Sequence, residues 1–195
     1  HQTVADLIGI ERKQAKTIGL GLMYGMGKNK LGTMLGVDPD EASNLIGKYN
    51  TKAPFVKALS DKCIQKASSE GVIRTKLGRK CRFDMWEPKD FGIHTAERFD
   101  NASAKYGADN IKRAFTYKAL NRLIQGSAAD QTKQAVVDCY KEGYLPMLQI
   151  HDELCFSIKD DNDVKIIKDK MENCIKLKVP SLVDVALGKD FGEAL

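Results

Sequence analysis

A chain of 195 residues with 43% apolar content is long enough to bury one good core or divide into two small lobes. It has no run near the roughly 18 to 20 apolar residues that cross a bilayer, and His1 to Asp6 lacks the basic and apolar regions of a signal peptide, so the expectation is a soluble, intracellular (cytoplasmic) protein with no membrane partner. The net charge of +5 is uneven, with 16 Lys and Arg against 10 Asp and Glu in residues 1 to 90 and 15 against 16 thereafter, a bias that suits a polyanionic partner of the first half.

In chain order, residues 4 to 24 read as a helix, and Gly25 to Lys30 as its glycine-containing exit. Asp38, Pro39 and Glu41 form an N-terminal signal for a helix over 39 to 50, and Asn50 and Pro54 bracket its end. A further helix is predicted over 54 to 69, stopping at Gly71. Val72 to Thr75 and Cys81 to Phe83 flank Leu77-Gly78-Arg79 as two short strands around a turn. Residues 84 to 104 carry no clear period. From Lys112 to Tyr140 the pattern is helical again, closed by Gly143 and Pro146.

Beyond that point the period changes to two. Leu148 and Ile150 alternate with polar residues, as do Leu154, Phe156 and Ile158, which predicts a hairpin whose acidic tip is His151, Asp152 and Glu153. A helix over Asp163 to Leu177 and a last strand over Val183 to Leu187 complete an α+β lobe after a mainly helical one. The five cysteines are odd in number, widely spaced and without a CxxC pair, which points to reduced packing residues instead of a disulfide framework or zinc site. No internal repeat or low-complexity tract is present.

Arg12, Lys16, Leu20 and Tyr24 recur every four residues and fall within roughly 120° of one another on a helix surface. Ala15, Ile18 and Leu22 occupy another sector, suited to packing, which leaves the cationic stripe outward. Such a stripe matches phosphate oxygens, because Arg offers a planar fork and Lys a compact charge. An Arg and Lys at i, i+4 alone is also a common solvated face. The continuation through Ile18, Gly19, Gly21, Tyr24 and Gly25 resembles the family A DNA polymerase motif in which Arg, three residues, Lys and seven residues precede Tyr-Gly. The resemblance implies that Arg12 and Lys16 bind the incoming triphosphate, with Lys16 also a proton source for the leaving pyrophosphate, and that Tyr24 stacks at the templating position. Leu20 stands where the family usually has Phe or Tyr, so stacking on the incoming sugar and base is expected to differ.

Two acidic residues at a hairpin tip are by themselves ordinary solvated turn residues. Gln149 to Leu154, however, resembles the family's palm motif, which implies that Asp152 is a metal ligand, that Glu153 supports the site and that His151 lies near the primer terminus. Asn121 to Asp130 resembles the helix that contacts the primer-template minor groove, where Asn121 and Gln125 would read acceptors common to every base pair. Tyr117 stands where an Arg is common and receives no role. Arg79 resembles a Gly-Arg turn that touches DNA, although an ordinary exposed loop explains it as well. Trp86 and His94 are expected to pack.

Taken together, the resemblance covers nearly the whole chain and implies fingers over residues 1 to 112 and the C-terminal part of a palm over 113 to 195. The family's other metal-binding Asp lies in a motif before the nucleotide helix, and His1 looks like the His that follows Asp-Ile shortly upstream of that helix. The expected function is template-directed addition of dNTPs to a primer 3′ end by two-metal phosphoryl transfer with Mg²⁺. A missing N-terminal half, carrying the thumb and the rest of the palm, is then a required partner beside primer-template DNA and dNTPs. The chain is a truncated protein or one product of a split gene on this reading. The rival readings are a non-catalytic nucleotide- or nucleic-acid-binding module and, more distantly, a metal-dependent nuclease.

Overall fold

A computed structural model of the chain describes residues 2, 5–6, 9–90, 92 and 94–194. The chain forms two compact units, residues 1–124 and 125–195. His1 and part of the expected helix over 4 to 24 lie outside the described residues.

The first unit is mainly helical, with α1 (Arg12–Met23), α2 (Lys28–Leu35), α3 (Pro39–Lys52) and α4 (Pro54–Glu70) in succession. The helix expected from residue 4 does not run through to 24. Gly9 takes a left-handed φ of 72°, and the Gly9 and Ile10 N–H groups both donate to the Ala5 carbonyl, which closes one helical turn before Glu11 caps the next in an extended conformation. The expected exit after Gly25 is in fact α2, a helix the sequence reading lacked. Its Leu31 is fully buried with Ile18, Tyr49 and Ala53.

Helices α3 and α4 follow the expected starts and stops. The Asp38 carboxylate accepts from the Asp40 and Glu41 N–H groups, both at 2.8 Å, with Pro39 opening the helix where its missing N–H costs nothing. Gly71, at φ 70°, ends α4. Strands β1 (Val72–Arg74) and β2 (Lys80–Arg82) then pair antiparallel around the predicted turn, Ile73 opposite Cys81. The uninterpreted stretch contains β3 (Met85–Pro88), β4 (Glu97–Arg98) and α5 (Phe99–Tyr106). With β5 (Ile111–Arg113) these strands form an antiparallel sheet ordered β4-β3-β5.

Helix α6 spans Ala119–Lys141 and therefore starts later than the period suggested. Residues 111–113 pair with β3 instead, and Phe115, at φ 61°, turns the chain before a short 3₁₀ segment at Thr116–Lys118. A second core gathers Cys63, Ala67, Ile73, Phe83, Ala119 and Leu120.

In the second unit, β6 (Leu148–Ile150) and β7 (Glu153–Cys155) form a hairpin and α7 covers Asp161–Asn173. Helix α7 starts before the expected Asp163 because the Asp160 side chain accepts from the Asn162 and Asp163 N–H groups. The expected strand over Val183 to Leu187 is absent among the described residues. The Val183 N–H donates to the Glu172 carboxylate at 2.9 Å, and Gln131 donates to the Ser181 hydroxyl, so side chains hold this segment where a ladder was anticipated.

The five cysteines are free. Burial, with the nearby Asp138 and Cys174 charges, pushes the Cys139 thiol up to about 11, which suits packing and disfavours nucleophilic chemistry. No helix among the described residues is long and apolar enough to cross a membrane.

The Asp38 cap gives a direct expectation for stability. Asp38→Ala should destabilise the chain by about 1 kcal/mol in urea unfolding, and an unchanged midpoint would show that the cap carries no net energy.

Candidate nucleotide and nucleic-acid site

The direction of the cationic stripe is set by what α1 buries. Ala15, Ile18, Gly19 and Gly21 are buried on one sector, and Leu22 joins the core around Ile18. Arg12 and Lys16 are exposed, Leu20 is half-buried, and Tyr24, which caps the helix, is 47% exposed. Among the described residues no carboxylate pairs with Arg12 or Lys16, so both charges face water, ready for an external anion. The four stripe residues lie on one face, as their spacing requires.

The corner after Tyr24 is sterically exacting. Gly25 has φ 70°, and a Cβ there would lie 2.9 Å from the Tyr117 carbonyl oxygen and 3.0 Å from its ring. Only glycine fits without movement, since both the backbone angle and the neighbour exclude a side chain.

A second positive surface is built by the β1–β2 hairpin. Arg74, Lys76, Arg79, Lys80 and Arg82 are all exposed, and Thr75, itself buried, fixes the turn by accepting the Arg79 N–H at 3.0 Å. Arg122 of α6 donates to the Arg82 carbonyl at 2.7 Å and lies 4.6 Å over the Phe83 ring. Reading the sequence missed this role for Arg122. Its signal, a cation one residue after Asn121, depends on a contact 40 positions away that no local pattern reveals. Trp86 packs edge-on against Phe99 and under the Arg113 guanidinium at 4.6 Å, while His94 lies edge-on to Tyr106 and 3.2 Å from Asp90.

On α6, Asn121 is half-buried and Gln125 exposed, one helical turn apart. In the second unit the hairpin tip is narrower than expected. Ile150 pairs with Glu153, so the loop is His151 and Asp152 alone, and Glu153 belongs to β7. His151 has φ 54°, a backbone position at which a non-glycine residue is strained. The Glu153 carboxylate accepts from the Cys155 thiol at 3.5 Å, and desolvation, followed by that hydrogen bond, pushes the thiol pKa up.

As donors, the Asp152 and Glu153 carboxylates suit a hard divalent cation, which prefers oxygen ligands. Among the described residues no group of three or more His, Cys, Asp or Glu side chains comes together to hold a metal. One or two carboxylates are what a magnesium ion commonly takes from a protein.

Comparison with known proteins shows the family and the fold. The model of DNA polymerase family A matches residues 2–193. The chain belongs to DNA polymerase family A. A DNA-directed DNA polymerase of Pseudomonas phage M6 is 34% identical over 100% of the chain and 31% of its own length. The thermostable DNA polymerase I of Thermus filiformis is 31% identical over 99% of the chain and 23% of its own length. In fold the chain resembles the POL domain of Pol1 from M. smegmatis, solved in complex with DNA primer-template and dNTP, with a TM-score of 0.79 at 24% identity over 100% of this chain and 34% of that one. The chain thus spans about a third or less of the length of these relatives, and its mixed α+β architecture with small antiparallel sheets resembles that of a polymerase domain.

The contrast between two glycines tests the Tyr24–Gly25 corner. Gly25→Ala should cost at least about 1 kcal/mol, whereas Gly47→Ala, in the interior of α3 with open space around it, should stabilise by roughly 0.5 to 1 kcal/mol. Equal effects in chemical denaturation would remove the steric account.

Proposed function

We propose that the chain is the fingers subdomain and C-terminal palm segment of a DNA-directed DNA polymerase that adds dNTPs to a primer 3′ end during DNA replication. The observation that carries this reading is the exposed Arg12–Lys16 pair on a helix that ends in the Tyr24–Gly25 corner. The family match over residues 2–193 supports it.

In this reading Arg12 grips the triphosphate through its planar guanidinium, and Lys16 neutralises charge building on the transferring phosphates and supplies a proton to the leaving pyrophosphate. Leu20, half-buried between them and Tyr24, contacts the sugar and base with a smaller apolar surface than a ring would offer. Tyr24 stacks at the templating position. Asn121 and Gln125 hydrogen-bond the minor groove, and Arg79 and its neighbouring hairpin cations hold backbone phosphates. His151 lies near the primer terminus. Asp152 would hold magnesium with Glu153 in support, and the metal when bound would lower the pKa of the primer hydroxyl and offset charge on the phosphates.

A partner that completes the palm and thumb is part of the proposal. All three residues of β6 are exposed, as are Leu145, Met147, Leu182 and Leu187. A two-stranded ribbon is marginal by itself, and the exposed apolar side chains elsewhere in the unit are surface that a partner can cover. The chain also covers only 31% of its phage relative.

The purified chain should therefore fail to extend a primer, and supplying the N-terminal portion of a full-length relative, or of the same protein, should restore templated synthesis. Robust extension by the 195 residues alone would sink the incomplete-site reading, and DNA binding with no extension under any complementation would favour a non-catalytic module.

In the complemented enzyme, Asp152→Asn should abolish chemistry with DNA affinity retained, because it removes a metal ligand and no phosphate contact. Lys16→Ala should lower the single-turnover rate and dNTP affinity together, by a few kcal/mol at most; a neutral Lys16→Ala would remove the triphosphate clamp from the account.

A further inference from the structure

The segment between β5 and α6 displays an aromatic ring and a cation on a backbone held unusually firmly for a surface turn. Ala114 on one side and Ala119 and Leu120 on the other are buried, anchoring both ends in the unit's core. Between them Phe115 is held at φ 61°, and its carbonyl accepts the Lys118 N–H at 2.9 Å. The Tyr117 carbonyl and ring lie against Gly25, so close that a Cβ on Gly25 would collide with both. Yet Tyr117 remains 47% exposed, as does Tyr24 on the other side of that contact. The Lys118 ammonium lies 5.0 Å from the Phe115 ring centroid and 5.5 Å from that of Tyr117.

A half-exposed tyrosine is usually an incidental surface residue, free to change rotamer. Tyr117 differs because its main chain is wedged against Gly25 and its ring is flanked by a lysine. A ring already ordered loses little entropy when a planar partner stacks on it. Aromatic faces next to cations are the recurring means of holding unpaired bases, the ring taking the base and the cation the adjoining phosphate. The cationic β1–β2 hairpin of the same unit makes a polyanion the fitting partner.

We infer that Tyr117, with Lys118, is a stacking site for an unpaired base of a nucleic-acid strand, placed beside the Tyr24–Gly25 corner. The inference rests on the polymerase reading of this unit but assigns a residue that the reading leaves without a role. Tyr117 supplies the stacking face, Lys118 supplies charge to the neighbouring phosphate, and Gly25 keeps the ring in place by yielding the space a side chain would fill.

The test uses the purified chain and two DNA hairpins with the same duplex. One is blunt, and the other carries a single-stranded 5′ overhang containing a fluorescent adenine analogue whose emission falls on stacking. The wild type and Tyr117→Phe should bind the overhang probe more tightly than the blunt one and quench the analogue. Tyr117→Ala should weaken overhang binding by about five-fold or more, lose the quench and leave blunt binding nearly unchanged. Lys118→Gln should keep the quench but lower the salt slope by about 0.7. Phe55→Ala, which truncates another exposed ring of the same unit, should change none of these readouts. If the wild type binds overhang and blunt probes equally without quenching, or if Tyr117→Ala matches the wild type, the stacking site is wrong and the polymerase reading stands. If the wild type binds neither probe, the stacking site falls, and the polymerase reading is decided separately by the complementation assay.

Discussion

The packing of one sector of α1 determines where the chemistry of the first unit faces. Ile18 is fully buried with Leu31, Tyr49 and Ala53, and Ala15, Gly19 and Gly21 accompany it on the covered side. Helical geometry then gives the remaining sector no choice, because residues spaced by four follow one another along a single face. Burying Ile18 is therefore also what exposes Arg12 and Lys16. The use of glycine at 21 fits this, since a Cβ there would lie 3.3 Å from the Met26 sulfur and 3.4 Å from Leu31, and α2 could not approach as closely.

In the first unit the strands are two to four residues long, too short to persist through ladder hydrogen bonds alone. Two arginines compensate by acting inside the fold instead of on its surface. Arg113 donates to the Phe83 carbonyl at 2.9 Å and covers the Trp86 ring, and Arg122 covers Phe83 and binds the Arg82 carbonyl. Each planar guanidinium satisfies a backbone acceptor while lying on an aromatic face, a combination that lysine could not provide. The hairpin that carries Arg74, Lys76, Arg79 and Lys80 is thus held by cations of the same sign as those it displays.

What the sequence made legible was local. Asp38 followed by Pro39, and Gly71 after α4, are decided by backbone groups within a few residues, and both boundaries fall where the pattern puts them. The β1–β2 and β6–β7 pairs were equally readable, because a turn and a period of two specify them together. What escaped depends on distant contacts. Helix α2 is bracketed and interrupted by Gly27, Gly32 and Gly36, poor helix formers, and Gly32 is needed because a Cβ would come within 2.8 Å of the Val37 carbonyl. Lys112 and Arg113 continued the helical period of α6 but were claimed by β3. Val183 to Leu187 had the alternation of a strand but found side-chain partners instead. For the candidate site, the stripe and the acidic motif were visible as spacing and resemblance, while the roles of Arg122 and of the Gly25–Tyr117 contact required the fold.

The strained positions add an argument that composition could not supply. Among the described residues, Phe115 and His151 are the non-glycine residues with positive φ. Phe115 lies outside the Asn, Asp and His set that adopts this region most readily after glycine and His151 within it, so both cost free energy that the surrounding structure must offset, Phe115 the more. Phe115 directly precedes the segment that displays Tyr117, and His151 directly precedes Asp152 at a loop of only two residues. A glycine at either place would relieve the strain but would surrender a side chain and loosen the turn. Keeping a bulky ring there holds the next residues at a fixed angle to the backbone. Strain at these two turns is therefore coupled to the aiming of the side chains that follow, one an aromatic face and the other a carboxylate.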